Sequence, residues 1–179
     1  MRLRPVTTQN GFSLIELLGA MTIAAITMTF IISGMGELLS RGRLESSAQK
    51  LYDTLNLARS EAIIRNSNFF VNIAEGASWC IGLDDTSTCA CGTSNDCTVD
   101  GSEKVISATE FSGISLEDNG GLTSFRFDPR NGIPEQTTNA AYTESTYTFS
   151  NAAGNELSVI VNSVGRMRLC SDSNPAFRG

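Results

Sequence analysis

The stretch that decides the fold reads Gly-Phe-Ser-Leu-Ile-Glu-Leu at residues 11–17, and it opens an apolar run that continues to about Met35. Glu16 is the only carboxylate in that run. Because an unpaired charge in hydrocarbon is costly, a carboxylate in such a segment indicates a function. A short polar stretch with Arg2 and Arg4 precedes the run. An ordinary secretory signal places its small-residue cleavage site after the apolar core, whereas here the glycine stands in front of it.

This order of residues resembles the type III signal of type IV pilins and of the pseudopilins of type II secretion systems. The shared pattern is a short basic leader, a glycine, an aromatic residue, a hydroxyl residue, two aliphatic residues, glutamate and two leucines. The resemblance implies that a prepilin peptidase cleaves after Gly11 and methylates the amino group of Phe12, the first residue of the mature chain. It also implies that Glu16 pairs with the N-terminal amine of a neighbouring subunit. A plain signal anchor with a tolerated glutamate is the alternative.

Residues 12–35 are long enough to cross a bilayer. As a helix, these 24 residues cover ~36 Å at about 1.5 Å per residue, against a hydrocarbon core of about 30 Å. The sequence therefore predicts a cleaved leader at 1–11 and a transmembrane or filament-core helix at 12–35. The predicted location is the bacterial inner membrane, with a single pass and a periplasmic C-terminal domain, and afterwards the pilus or pseudopilus.

A second helical segment is predicted at 36–66, where it continues into the globular head. Apolar residues recur there at spacings of three and four, which is the pattern of an amphipathic helix. We expect this stripe to pack on a covering domain, since a coiled-coil stalk, the alternative, is longer as a rule. The stripe consists of Leu44, Ala48, Leu51, Leu55, Ala58 and Ala62.

Beyond the helix the apolar period changes to two, which is typical of β-strands. Connections rich in Gly, Asn, Asp and Ser, with no helical pattern between the strands, favour antiparallel pairing. The predicted fold class is α+β: a long N-terminal helix packed on an antiparallel, pilin-like β domain at 67–179 with a disulfide loop. The predicted strands are 69–73, 79–83, 104–108, 114–116, 124–127, 147–149, 157–161 and 164–170.

Two C-terminal motifs add a second resemblance. Residues 125–134 read Phe-Arg-Phe-Asp-Pro-Arg-Asn-Gly-Ile-Pro, and residues 163–168 read Ser-Val-Gly-Arg-Met-Arg. With a paired strand between them, this order is similar to the GspH/FimT group of minor pilins and pseudopilins. The resemblance implies a structural subunit whose partners are other minor and major pilins or pseudopilins, the prepilin peptidase and the inner membrane. The cysteine loop and residues 135–145 fall outside the resemblance.

The composition argues against several classes of protein. The chain has 19 acidic and 13 basic residues, a net charge of −6 and no histidine. The acidic balance is unlike that of a globally basic nucleic-acid binder. Without histidine, Ser-His-Asp or Cys-His catalysis and His-ligated metals are excluded. We therefore expect neither an enzyme nor a cofactor nor a metal. The aspartates at 84, 85, 96 and 100 lack the spacing of a calcium loop, and we expect them to be solvated.

The chain contains five cysteines: Cys80, Cys89, Cys91, Cys97 and Cys170. Three of them lie in a polar loop that is too long to order itself cheaply. Disulfides would order this loop, and they form in the periplasm rather than the cytosol, which places the β domain outside the cytoplasm. The sequence does not determine the pairing. We favour Cys91–Cys97 as a local clip, with Cys80 joined to Cys89 or Cys170, over a thiolate zinc site, whose spacing is different.

The motif Gly-Arg-Met-Arg at 165–168 raises the possibility of DNA binding. Residues two apart in a strand share a face, so Arg166 and Arg168 point outward together while Met167 and Leu169 point inward. Two guanidinium groups on one face suit the phosphate oxygens of a nucleic-acid backbone. The motif resembles the tail that DNA-binding members of the FimT group use in natural transformation. Two solvated arginines without a ligand are the ordinary alternative.

The resemblance implies weak, sequence-independent DNA binding through Arg166, Arg168 and Arg178, with Lys104 or Arg130 as candidates to extend the patch. Two functional classes therefore stay open. The first is a structural subunit, either a minor pilin of the tip or priming complex or a GspH-type pseudopilin of a type II secretion system. The second is a module that binds DNA for uptake through the same pilus. A membrane-tethered enzyme is a third class, for which catalytic groups are lacking.

Overall fold

A computed structural model describes residues 13–120, 122–138 and 142–171, with the side chains of 29–34 left out. The chain forms two compact units, Met1–Leu38 and Leu39–Gly179. Three of the predicted site residues, Gly11, Phe12 and Arg178, lie outside the described residues.

Helix α1 runs from Leu14 to Arg65, 52 residues in all. Glu16 lies in its first turn, where a carboxylate interacts favourably with the positive end of the helix dipole. The helix ends at Asn66, whose φ of 50° is left-handed. The backbone N–H of Ser67 then donates to the carbonyl of Ala62 at 3.2 Å, as in a common helix C-cap.

In the first unit, every described side chain is exposed. Several of these side chains are large and apolar, with exposed fractions of 55–78% for Leu14, Ile15, Leu17, Leu18, Met21, Ile23, Ile26 and Met28. Among the residues that the structure describes, no helical stretch combines the length and the hydropathy needed to cross a bilayer.

The second unit combines the rest of α1 with antiparallel β-structure. One sheet has the strand order β5-β2-β1-β7-β8, a second has the order β11-β10-β9-β6, and β3 and β4 form a separate pair. The predicted α+β class is thus confirmed. The strands in the described ranges are β1 (Phe69–Ala74), β2 (Cys80–Asp84), β3 (Thr98–Val99), β4 (Ser102–Glu103), β5 (Val105–Ser107), β6 (Ile114–Asp118), β7 (Ser124–Phe127), β8 (Pro134–Gln136), β9 (Ser145–Asn151), β10 (Glu156–Val161) and β11 (Met167–Cys170).

Strand β1 is central in the five-stranded sheet. Phe69 pairs with Phe127 of β7, and Phe70 pairs with Asp84 of β2. The last residue of β2 and the last residue of β7 therefore lie on either side of the first residues of β1. The connections that follow β2 and β7 leave the sheet at the same end, next to the end of α1.

The hydrophobic core lies between α1 and the two sheets. All six residues of the predicted helical stripe are buried, with exposed fractions of 0–6%. Trp79 is fully buried, and its indole N–H donates to the carbonyl of Ile114 at 3.0 Å. The rings of Trp79 and Phe149 meet edge to face at 5.3 Å between centroids. The stripe therefore packs on a covering domain, as predicted.

Three short strands, β3, β4 and β8, were not predicted. Strand β8 begins at Pro134 and lies at the edge of its sheet, where the missing N–H needs no partner. Strand β11 starts at Met167 rather than at Val164, because the chain first reverses in a turn at 162–165. There the side-chain Oδ1 of Asn162 accepts the backbone N–H of Val164 at 3.2 Å and that of Arg166 at 2.8 Å.

Candidate functional site

Glu16 is the described residue of the predicted assembly site. It lies one turn into α1, and its backbone N–H donates to the carbonyl of Ser13 at 3.0 Å. Its side chain is exposed among exposed leucines and isoleucines. Since Phe12 lies outside the described residues, pairing of Glu16 with the amine of Phe12 in a neighbouring subunit stays a prediction.

The disulfide loop, residues 85–101, follows β2. Its bridges are Cys80–Cys91, with Cα atoms 5.8 Å apart, and Cys89–Cys97, with Cα atoms 5.1 Å apart. The expected Cys91–Cys97 clip is therefore wrong, and Cys80 pairs with neither Cys89 nor Cys170. Cys170 is a free, partly exposed thiol.

The bridge pattern has a physical reason in the path of the loop. The loop folds back over β2, where Gly82 leaves room for it: a Cβ on Gly82 would overlap the Sγ of Cys97 and touch the Cβ of Cys91. Cys97 is fully buried there. This return path brings Cys91 to the start of β2, where Cys80 lies, and leaves Cys97 for Cys89.

Asp84 holds the start of the disulfide loop. Its Oδ1 accepts the N–H of Thr86 at 2.8 Å, the hydroxyl of Thr86 at 2.7 Å and the N–H of Ser87 at 2.9 Å, while Oδ2 accepts the N–H of Thr98 at 3.0 Å. Burial raises the pKa of the Asp84 carboxyl, but these hydrogen bonds outweigh burial and the net pKa lies below its usual value. Asp84 is 3% exposed, so the expectation of a solvated residue is wrong for this aspartate.

Arg65, in the last turn of α1, connects the helix to the disulfide loop. Its Nη1 and Nη2 donate to the two carboxylate oxygens of Asp100 at 2.6 and 2.8 Å, and its Nε donates to Glu61 at 2.6 Å. The hydrogen bonds to Asp100 and Glu61 raise the pKa of Arg65, and the hydrogen bond from Arg65 lowers the pKa of Asp100. The guanidinium also lies 5.6 Å from the ring centroid of Phe69.

On the other side of the helix, Arg59 meets two turns that are far apart in sequence, which we name the turn pair (residues 128–133 and 162–165). The Nε of Arg59 donates to the carbonyl of Gly132 at 2.9 Å. Gly165 has a φ of 74°, and a Cβ there would lie 2.6 Å from the same carbonyl. The two motifs of the second resemblance thus touch each other. The sequence contained no signal for the part played by Arg59.

Arg166 and Arg168 are both exposed, while Met167 between them is 7% exposed and Leu169 packs partly buried against the core. Arg168 lies opposite Ile160 of β10. The predicted arrangement, with both guanidinium groups outward and both apolar residues inward, is the one observed.

The other candidate cations differ in position. Arg130 is exposed in the first turn of the turn pair, two residues from the carbonyl that Gly165 touches. Lys104 precedes β5, at the opposite edge of the sheet from β8, so it does not extend a patch around Arg166. Arg126 forms a salt bridge with Glu135 at 3.0 Å.

An open cleft of about 760 Å³ lies beside the Cys80–Cys91 bridge. Its lining includes Thr93, Ser107 and Thr109, and Glu103 is the one ionisable group among its described lining residues. A single carboxylate beside hydroxyl groups supplies no pair for acid–base or nucleophilic catalysis.

Comparison with known proteins gives two kinds of similarity. The family model described as the type II transport protein GspH matches residues 47–165, about two thirds of the chain. The model of the prokaryotic N-terminal methylation motif matches residues 7–32. No curated protein sequence matches the chain.

Two solved structures show the same fold. The type IV minor pilin FimU of Pseudomonas aeruginosa has 17% sequence identity and a TM-score of 0.51, with 75% of this chain and 92% of that chain covered. The minor pseudopilin EpsH from the type 2 secretion system of Vibrio cholerae has 17% identity and a TM-score of 0.53, with 74% and 99% covered.

Proposed function

Because the chain belongs to the family of the type II transport protein GspH, we propose that it is a minor pilin, a structural subunit of the tip or priming complex of a type IV pilus. The observation that carries the proposal is the combination in one chain of an N-terminal methylation motif at 7–32 and a GspH-type head at 47–165. The first directs processing and the second occupies a position in the filament.

In this proposal a prepilin peptidase cuts after Gly11 and methylates Phe12. Until assembly, residues 12–35 hold the subunit in the inner membrane and the head lies in the periplasm. The two disulfides support that location for the head, because such bonds persist in the periplasm and not in the cytosol.

Assembly places the apolar first unit of α1 among the helices of other subunits. The exposed leucines and isoleucines around Glu16 supply the packing surface. A carboxylate in such surroundings needs a cationic partner, since an unpaired buried charge is strongly destabilising. The freed amine of Phe12 in the neighbouring subunit is that partner.

The test of the proposal is incorporation into filaments. Glu16→Ala should still be made and cleaved, but the sheared filament fraction should contain at least about tenfold less of the subunit, as one lost charge pair in an apolar bundle implies. Glu37→Ala removes another carboxylate from the same helix and serves as the matched control, with normal incorporation expected. Equal incorporation of both variants contradicts the pairing role.

Processing has its own test. Gly11→Arg removes the small residue at the cleavage position, and intact-mass analysis should show an unprocessed chain without N-methylation. A mature mass for this variant contradicts the assignment of residues 1–11 as a leader.

A pseudopilin of the GspH type in a type II secretion system is the alternative form of the same role. The fold does not separate the two, because FimU and EpsH match it at the same 17% identity. Deletion of the chain from its native host separates them: loss of surface pili supports the pilus, and loss of protein secretion with intact pili supports the alternative.

DNA binding is a second candidate function, favoured by the shared outward face of Arg166 and Arg168. Because few phosphates are neutralised, affinity should be weak and should fall with salt. Titration of residues 40–179 with duplex DNA at low salt should show binding that Arg166→Gln/Arg168→Gln abolishes. Lys50→Gln/Lys104→Gln changes the net charge equally on a different surface and should bind as the parent does. Loss in both variants, or in neither, contradicts the assignment.

A further inference from the structure

The last turns of α1 separate two surfaces of opposite charge, which we name the acidic flank and the basic flank. The acidic flank is residues 84–103, which carry five carboxylates and no lysine or arginine. The basic flank is the turn pair with Arg130, Arg166 and Arg168. Arg65 bonds to the first flank and Arg59 to the second. These residues are six positions apart, about 240° around the helix, so the two flanks lie on different sides of it.

The cations of the basic flank lack acidic partners within the described part of the chain. Arg65 and Arg126 form salt bridges there, whereas Arg130, Arg166 and Arg168 form none. In a chain of net charge −6, three exposed unpaired arginines at one place form a local field opposite in sign to the whole.

Apolar side chains accompany the cations. Val164, at the tip of its turn, is 59% exposed, and Ile63, against the other turn, is 46% exposed. On the outer face of the helix, towards the acidic flank, Leu57 is 51% and Ile64 is 76% exposed. Arginine with exposed apolar side chains is a composition typical of protein interfaces. A nucleic-acid backbone would leave the apolar members without a partner.

We propose that the basic flank of one copy of this chain docks on the acidic flank of a second copy. Each copy carries both surfaces, so a partner with the required negative charge and exposed leucine or isoleucine is present on the same molecule. Because the two surfaces differ, the contact is heterologous and propagates from copy to copy. The inference rests on the proposed filament role, since a filament requires a contact that propagates.

The experiment uses the full chain in detergent micelles at low salt, with self-association measured by sedimentation velocity. Arg130→Glu/Arg166→Glu makes both flanks acidic, and Asp96→Lys/Glu103→Lys makes both less acidic or basic. Each variant alone should associate about tenfold more weakly than the parent, from the reversal of a few exposed pairs. An equimolar mixture of the two variants should recover association, because each then meets a flank of opposite charge.

Controls separate this contact from general charge effects and from helix association in the micelle. Lys50→Glu/Lys104→Glu changes the net charge as much as the arginine variant does, but next to the acidic flank, and should not weaken association. Raising the salt should weaken the parent and leave each reversed variant unchanged. A mixture no stronger than its components overturns the proposal.

Two further outcomes are decisive. If Arg130→Glu/Arg166→Glu loses duplex DNA but sediments as the parent does, the basic flank serves nucleic acid and the proposal fails. If Glu16→Ala enters filaments normally, the proposed function fails by a measurement that does not depend on the flanks. Loss of association with unchanged circular dichroism, rescued in the mixture, supports the docking contact and excludes misfolding as the cause.

Discussion

The disulfide loop and the turn pair lie on either side of the same helix end, yet irregular chain is held in place differently in each. The disulfide loop has few apolar residues, and it is held by two covalent bridges and by one buried carboxylate, Asp84. The turn pair has no bridge, and it is held by glycines that allow close approach and by Arg59. A long polar loop therefore depends on bonds, whereas two short turns depend on steric fit.

The covalent side of this contrast predicts the largest effect. Replacing the four bridged cysteines by serine should lower the free energy of unfolding of residues 39–179 by about 5 kcal/mol, because the loop regains its conformational freedom. Urea unfolding measures this. Cys170→Ser is the control and should change the value by less than about 0.5 kcal/mol.

The pairing itself is checked by alkylation of unreduced protein followed by peptide mapping. One labelled thiol, at Cys170, is expected, with Cys80 linked to Cys91 and Cys89 to Cys97. Recovery of a Cys91–Cys97 peptide contradicts the fold-back of the loop over Gly82.

The steric side predicts the next effect. Gly165→Ala places a Cβ at a left-handed φ and against the carbonyl of Gly132, and should cost about 3 kcal/mol of stability. Gly154 has a similar φ of 77° with open space around it, so Gly154→Ala should cost only about 1 kcal/mol. Equal costs in urea unfolding would show that backbone conformation, not close packing, decides this region.

The buried carboxylate of the disulfide loop predicts a dependence on pH. The pKa of Asp84 is lower in the folded chain than its unfolded value of about 3.9, so its contribution is present above that value and is lost as the pH falls through the folded pKa. Asp84→Asn should cost about 2 kcal/mol at pH 7, and the difference from the parent should shrink below about pH 4.

Asp53→Asn, on the exposed surface of α1, is the matched control for this titration. It should leave the free energy of unfolding nearly unchanged at neutral pH. A constant difference between Asp84→Asn and the parent down to pH 2 would contradict the part assigned to the charge.

The smallest effect concerns Arg59. Arg59→Met keeps the aliphatic stem and loses the hydrogen bond to the carbonyl of Gly132, which should cost about 1 kcal/mol. Lys50→Met, at an exposed position on the same helix, should cost less than about 0.5 kcal/mol. A larger loss for Arg59→Met would show that this one side chain, more than the glycine contact, holds the turn pair to the helix.

The parts of the fold that were predictable are those written in periodic patterns. The stripe from Leu44 to Ala62 and the alternation in β1, β7 and β10 are local records of which face is buried, and the structure buries those faces. The family was readable for a similar reason, since the N-terminal motif and the two C-terminal motifs are contiguous. The matches to the methylation motif and to the GspH model confirm that resemblance.

The errors concern residues whose partners are distant in sequence. The favoured Cys91–Cys97 pair is close in sequence, but the path of the loop over Gly82 separates those cysteines. Asp84 has the appearance of a solvated loop residue until the return of the chain at Thr98 covers it. No sequence pattern connects Arg59 with Gly132, because their contact joins positions 73 apart in the chain.

By itself, then, the sequence determined the α+β class, the helix, most of the strands and the family, because each depends on side-chain periodicity or on a contiguous motif. The tertiary structure alone decided the disulfide pairing, the burial of Asp84 and the meeting of the two turns on Arg59. Those features depend on where chain reversals carry residues in space. Reversals are set by packing against the core, and a one-residue change in loop path alters which partners meet without altering the pattern that predicts the strands.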